Sequence, residues 1–199
     1  MSLPVANTRT RYGSVAMTLH WAIAAAVVLN ICLGLYMANI MTDQDPNRFA
    51  IIQFHKSVGL TVLVLSLARL GWRLANPIPA LPATMPPWLK TVAHGTHYLL
   101  YFLIIAIPLS GWALVSSSKL GTPTFYFGIF HWPSIPFLAE LPRAQKVPLH
   151  RNFFTIHKYL AFSTIALIPI HVAGALYHQF RGEDVLRRML PGTRIQGEA

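Results

Sequence analysis

Four runs of this sequence are each long and apolar enough to cross a lipid bilayer, which takes about 20 mainly apolar residues. They extend from about 15 to 37, 51 to 74, 92 to 115 and 153 to 180. In hydrocarbon every backbone polar group must be satisfied within its own segment, so each run is expected to be a helix. Only 11% of the residues are charged and 54% are hydrophobic, against about 25% charged in a soluble domain. The fold class predicted is an all-α integral membrane protein: a four-helix bundle forming one membrane domain over residues 1–199.

The first run follows Arg9 and Arg11 but is too long for a signal-peptide core and lacks a small-residue cleavage site, so it reads as a retained anchor. "ANPIPALPATMPPW", residues 75–88, is too rich in proline for a helix interior and links the second and third spans. The third connection, 116–150, contains "GTPTFYFGIFHWPSIPF". Its aromatic rings suit the headgroup layer, and a short interfacial helix or turn is expected there rather than a fifth span. The tail after Phe180 is basic and is expected to end in solvent.

With the N-terminus inside, Arg9, Arg11, Arg69, Arg73, Lys90, Arg181, Arg187, Arg188 and Arg194 lie on the inner side. Arg48, Lys56, Lys119, Arg143, Lys146, Arg151 and Lys158 lie on the outer side. The short first loop carries two Asp and one Arg, which favours both termini on the cytoplasmic side.

In the fourth run, "IHKYLAFSTIALIPIH" holds His157 and His171 fourteen residues apart. Fourteen helical residues rise about 21 Å and end about 40° short of four whole turns, so both rings project from one side. Ionisable groups at such depth are costly and mark functional sites. "TLHWAI" places His20 near the inner surface and "FHKSVG" places His55 near the outer one. Antiparallel spans then pair His20 with His171 and His55 with His157. Two such pairs suit two haems b, each held by two imidazoles from different helices. Packing histidines, each satisfied by a hydroxyl or carbonyl, are the competing reading, and four at matched depths argue against it.

The sole cysteine, Cys32, forms no disulfide framework, and the absence of Cys-x-x-Cys-His excludes covalent c-type haem. Gly34 lies fourteen residues after His20, Gly59 one turn beyond His55, and Gly174 three residues beyond His171. Each would let a flat macrocycle approach the backbone, unless it serves helix packing alone. Arg69, fourteen residues after His55, faces the inner haem and suits a propionate, or is an ordinary inner-flank charge. His94 and His97 share one face at the inner end of span three and suit a substrate or propionate. His178 suits a quinone hydrogen bond or proton exchange. His131 and His150 belong to the outer connection and are expected to be solvated.

"LHW", "FHKSVG", "AHGTHYLLYFLIIAIPLSG" and the pattern His157-x13-His171-x6-His178 together resemble bacterial cytochrome b561 over roughly residues 11–190. The resemblance implies a four-helix dihaem protein of the bacterial inner membrane, with His20, His55, His157 and His171 as iron ligands. One branch of that family oxidises superoxide on the periplasmic side and passes the electrons to ubiquinone. Other branches resemble cytochrome b subunits that link dehydrogenases to quinone. The long third connection is similar to that of other homologues, since the loop of the superoxide branch is shorter.

The expected chemistry is electron transfer at haem edges, because two axial histidines leave the iron no open position. Lys56 and Lys158 adjoin the outer ligands and, with Arg151 and the other outer basic residues, form a collar that would draw in a small anion. Snorkelling to lipid phosphate is the competing role. Ubiquinone is expected as acceptor, or as donor if the direction is reversed. A periplasmic redox protein replaces the anion if the chain is a relay subunit. Nucleic acid is not an expected partner. A third possibility is a His-lined transporter of metal or protons.

Overall fold

The computed structural model describes residues 4–193. Four long helices dominate: α1 (Ser14–Asn39), α2 (Arg48–Ala75), α3 (Pro87–Ser116) and α5 (Arg143–Phe180). All four have the length and hydropathy of membrane spans, and the chain is a multi-pass membrane protein. Each helix extends past the predicted run, most of all α5, which begins ten residues earlier. Polar residues that cannot enter hydrocarbon still continue a helix wherever lipid ends, so hydropathy marks only the buried part of each span.

Between α3 and α5 lie two three-residue strands, β1 (Thr124–Tyr126) and β2 (Phe130–Trp132), and a short helix α4 (Pro136–Ala139). The strands pair antiparallel, with Phe125 opposite His131. Their turn places Phe127 (φ 48°) and Gly128 (φ 75°) in left-handed backbone, the geometry that matches the twist of a two-stranded hairpin. A phenylalanine there is unusual, and this is why the sequence reads as turn rather than hairpin.

Packing divides the described chain into two compact units. Each long helix contributes a segment to both. The terminal unit comprises residues 4–23, 65–102 and 164–193, and the hairpin unit residues 24–64 and 103–163. Both have thin cores. Met17, Ile23 and Met85 are buried in the first, and Val58, Leu60, Leu63 and Leu103 in the second. Val28, Leu35, Val64, Leu67, Phe102, Phe154, Phe162 and Ile170 remain exposed along the helices. In water such stripes would drive association; in lipid they are the solvent-facing surface.

In the terminal unit the N-terminal segment, the proline-rich linker and the tail are stitched together. Asn7 accepts from the Gly13 N–H at 2.9 Å and donates to the Pro77 carbonyl at 3.0 Å. A Cβ on Gly13 would lie 2.3 Å from the Val5 carbonyl oxygen, so this approach needs glycine. Trp21 donates to the Met189 carbonyl at 2.8 Å, and Arg188 donates to the Ala80 carbonyl. The tail to residue 193 therefore docks instead of ending in solvent. Gly182 (φ 75°) turns it back after α5, a left-handed residue of the kind that often ends helices. Arg194 lies outside the described residues.

The hairpin unit solves a different problem. Backbone in or near a membrane must find partners, and the polar residues of α2 supply them. Gln53 donates to the Pro123 carbonyl and accepts from the Phe125 N–H. Ser57 donates to the Phe125 carbonyl and accepts from the Phe127 N–H. Thr61 meets the Tyr126 hydroxyl at 3.0 Å. Positions 53, 57 and 61 share one helical face, which is thereby committed to the hairpin.

Candidate functional site

In the hairpin unit His55 of α2 and His157 of α5 face each other, with ring centroids 6.2 Å apart and planes at 78°. The orientation of His157 comes from α3. Its Nδ1 lies 3.0 Å from the Ile107 carbonyl oxygen and 3.0 Å from Ser110 Oγ. A carbonyl only accepts, so Nδ1 carries the proton and Nε2 keeps its lone pair. A Cβ on Gly111 would lie 3.1 Å from His157 Cε1, closer than ordinary contact. Gly34 stands beside the other ring, its notional Cβ 3.6 Å from His55 Cε1. The atom nearest a Cβ on Gly59 belongs to Asn30 instead, at 3.3 Å.

In the terminal unit His20 of α1 and His171 of α5 have ring centroids 6.3 Å apart and planes at 69°. His97 of α3 approaches His171 more closely, at 5.4 Å. Its predicted companion His94 is more exposed but remains within electrostatic reach of His97. Arg69 donates to the Ala16 carbonyl at 2.7 Å and lies within electrostatic reach of His20, His97 and His171. Arg69 and Arg73 both approach the Tyr101 ring, at 5.8 and 5.3 Å. Among the described residues, the ion pairs involve neither of these arginines. Tyr12 sits with them, and burial raises its hydroxyl pKa against the pull of Arg73. Nothing lies within 4 Å of a Cβ on Gly174.

His178 is buried and its Nδ1 is hydrogen-bonded to Glu183. Lys56 is half-buried; Lys158 and Arg151 are exposed. Lys158 Nζ lies 5.9 Å from the Phe162 ring centre, one turn along its own helix. His150, expected in solvent, instead sits in the first turns of α5 within 2.9 Å of the Leu114 carbonyl. An early helix start draws it against α3. His131 stacks edge-on against Phe125 at 4.2 Å.

Comparison with known proteins gives these pairs a context. The model of the prokaryotic cytochrome b561 family matches residues 11–192. The chain belongs to that family. It is 32% identical to "Cytochrome b561 homolog 2" of Escherichia coli (strain K12) over 186 residues, 92% of this chain and 93% of that protein. It is 30% identical to "Cytochrome b562" of Cereibacter sphaeroides over 185 residues, covering 90% and 96%. It is 24% identical to "Probable superoxide oxidase CybB" of Yersinia pestis over 189 residues, covering 92% and 98%.

Membership of the b561 family implies haem b, and both pairs fit it. An imidazole nitrogen sits about 2.0 Å from a bound metal and about 1.1 Å from its own ring centre, so two rings on opposite sides of one metal have centroids about 6.2 Å apart. The observed 6.2 and 6.3 Å match that spacing. The 5.4 Å of His97–His171 is too short for it.

Two features escaped the sequence reading. Ser110 and Gly111 brace and clear His157. A signal was present, because Gly111 lies fourteen residues after His97, repeating the intervals His20–Gly34, His55–Arg69 and His157–His171. Glu183 lies past α5 in a segment read as solvated tail, and the sequence carried no sign that it folds back.

Proposed function

We propose that this b561-family cytochrome holds two haems b in its membrane bundle and transfers electrons between superoxide on the periplasmic side and ubiquinone on the cytoplasmic side. His55 with His157, and His20 with His171, would hold the two haem irons. The observation that carries this reading is the pair of imidazole separations, 6.2 and 6.3 Å. Bound haem b would supply one-electron storage at a potential set by its surroundings.

The chain's own residues do the rest. The Nδ1–H of His157 is tied to the Ile107 carbonyl, which leaves Nε2 to the metal and increases its basicity. Gly111 and Gly34 keep side chains off the two rings. Arg69, Arg73 and Tyr101 offer donors without a carboxylate partner, which suits the propionates of the second haem. Lys56, Lys158 and Arg151 give the hairpin unit positive charge beside its histidine pair, and a small anion is drawn to such a surface, more so at low salt. Superoxide gives up one electron and leaves as dioxygen. Ubiquinone takes two electrons and two protons beside His178, with His97 and His94 at the same end. The name of the Yersinia pestis relative supports the choice of superoxide. We place the protein in the bacterial inner membrane with both termini cytoplasmic.

A second reading has an observation of its own. Leu120, Ile129 and Phe137 of the connection are 77%, 76% and 70% exposed. Such an apolar surface suits a relay subunit that docks a periplasmic redox protein and exchanges its electrons with quinol.

Purified protein given a pulse of superoxide, with ubiquinone present and salt varied, separates the two. Rapid haem reduction that slows with salt, followed by reoxidation by quinone, is the expected result. No reduction by superoxide, with ready reduction by quinol, would replace the oxidase reading with the relay.

A further inference from the structure

After α5 the chain turns at Gly182 and brings Glu183 back against His178. His178 is 7% exposed, and its Nδ1 bonds one carboxylate oxygen of Glu183, Oε2. Thr84, from the linker before α3, donates to the other oxygen, Oε1, at 2.9 Å. The hydrogen bond from His178 holds the Glu183 carboxyl below the usual glutamate range; burial opposes this, and Thr84 and the nearby Arg181 add to it. An ionised carboxylate only accepts, so the shared proton belongs to Nδ1. Nε2 is then the ring nitrogen free to exchange a proton. On the Glu183 side of the pair opens a pocket of about 420 Å³, lined by Thr84, Arg181, Glu183, Asp184 and Arg188 but not by His178. Asp184 is paired with Arg187 at 3.3 Å, and Arg188 with the Ala80 carbonyl.

We propose that Glu183, braced by Thr84, is the positioning residue that makes His178 the proton carrier for quinone. This deepens the reading above and rests on it. Two superoxide anions each lose one electron and leave as dioxygen. Ubiquinone gains those two electrons and two protons to become the quinol. The imidazolium of His178 gives a proton from Nε2 to a quinone oxygen, becomes neutral, and is recharged from water at the cytoplasmic surface. Glu183 never touches the quinone. Its negative charge balances the ring whenever the proton is on it, and its bond to Nδ1 aims Nε2 away from itself. Arg181, Asp184 and Arg188 are the other charged groups on this pocket; they sum to one positive charge, which the Glu183 carboxylate offsets.

The test uses haem-loaded protein, a superoxide pulse and a short-chain ubiquinone, over a range of pH. Glu183→Gln keeps the shape and an acceptor for Nδ1–H but loses the charge. It is expected to slow quinone reduction about tenfold at neutral pH, with recovery as pH falls. Its KM for quinone should change less than about twofold. Oxidation of the reduced protein by ferricyanide, which takes an electron and no proton, should be unchanged. Thr84→Val should give the same pattern, weakened. A Glu183→Gln variant with the wild-type pH profile would overturn the proposal. If the wild type does not reduce quinone, the functional reading fails instead, and nitrogen-15 NMR of His178 still tests the brace. The wild type is expected to show protonated Nδ1 and Glu183→Ala a mixture of tautomers; identical spectra would sink it.

Discussion

The two histidine pairs share α5, take their other member from α2 and from α1, and are held in different ways. In the hairpin unit the backbone of α3 does the holding: the Ile107 carbonyl fixes the proton of His157, and Gly111 leaves its ring just enough room. In the terminal unit side chains do it. His171 is met by both His20 and His97, with Arg69 close to all three. A backbone brace specifies one ligand orientation before any cofactor arrives. A side-chain cluster offers His171 two partners, at 6.3 and 5.4 Å. Only His20 stands at the spacing that the proposed iron would require, so the proposal assigns His97 to the surroundings of that site.

Removing ligands should have the largest effect. Alanine at His55 or His157 is expected to cost the haem of the hairpin unit, and alanine at His20 or His171 that of the terminal unit. Haem content, measured as the pyridine haemochrome, should fall from two per chain to one in each case. His97→Ala should keep both and shift only one of the two spectra. Loss of a haem in His97→Ala with retention in His20→Ala would reverse the assignment at the terminal unit.

Next come the glycines, where the two rings of one pair differ. Gly111→Val pushes a branched side chain into the 3.1 Å approach to His157. Overpacking of this kind costs about 1–3 kcal/mol, and the variant should lose much of its affinity for the haem of the hairpin unit. Gly34→Ala adds a methyl at 3.6 Å from His55, an ordinary contact, and should bind haem as the parent does. Titration of apoprotein with haem compares them. Equal affinity in both variants would mean that Gly111 is not a spacer.

The fold could be read from sequence because hydropathy over four long runs admits few alternatives. The four candidate ligands could be proposed because they fall at matched depths of three long apolar runs, two of them fourteen residues apart, where an imidazole needs a reason. What was not legible depends on contacts between residues distant in sequence. The hairpin exists because Gln53, Ser57 and Thr61 of α2 supply its partners some seventy positions away, and no local pattern announces that. Glu183 acquires its place only once the tail has folded onto the proline-rich linker. Gly111 lies between these cases, visible in the fourteen-residue interval but silent about which ring it clears.

Ser110→Ala should produce a smaller change. It removes one of two partners of His157 Nδ1 and leaves the Ile107 carbonyl. A single hydrogen bond of this kind is worth about 1 kcal/mol, so both haems should bind. Only the electron paramagnetic resonance of the haem in the hairpin unit should shift, reporting a ring held by the Ile107 carbonyl alone. A shift in the other haem would show that the two sites are not independently held.

The smallest effect should come from acid, and it should separate the units. The Glu183 carboxyl is held below its ordinary range mainly by the hydrogen bond from His178. A carboxylate whose pKa is lowered on folding stabilises the fold above its unfolded value, and this contribution fades as pH falls through the lowered value. Between neutral pH and the ordinary glutamate range the tie between Glu183 and His178 should therefore hold; below that range it should loosen. In the hairpin unit the Ile107 carbonyl that holds His157 does not titrate over that range. Amide hydrogen exchange followed stepwise into acid should show residues 181–188 opening first, with the backbone around Ile107 and Gly111 still protected. Simultaneous opening of both would mean that acid acts on the bundle as a whole. Persistence of protection at 181–188 below the glutamate range would mean that Thr84 and the docked tail, rather than the charge on Glu183, keep this end closed.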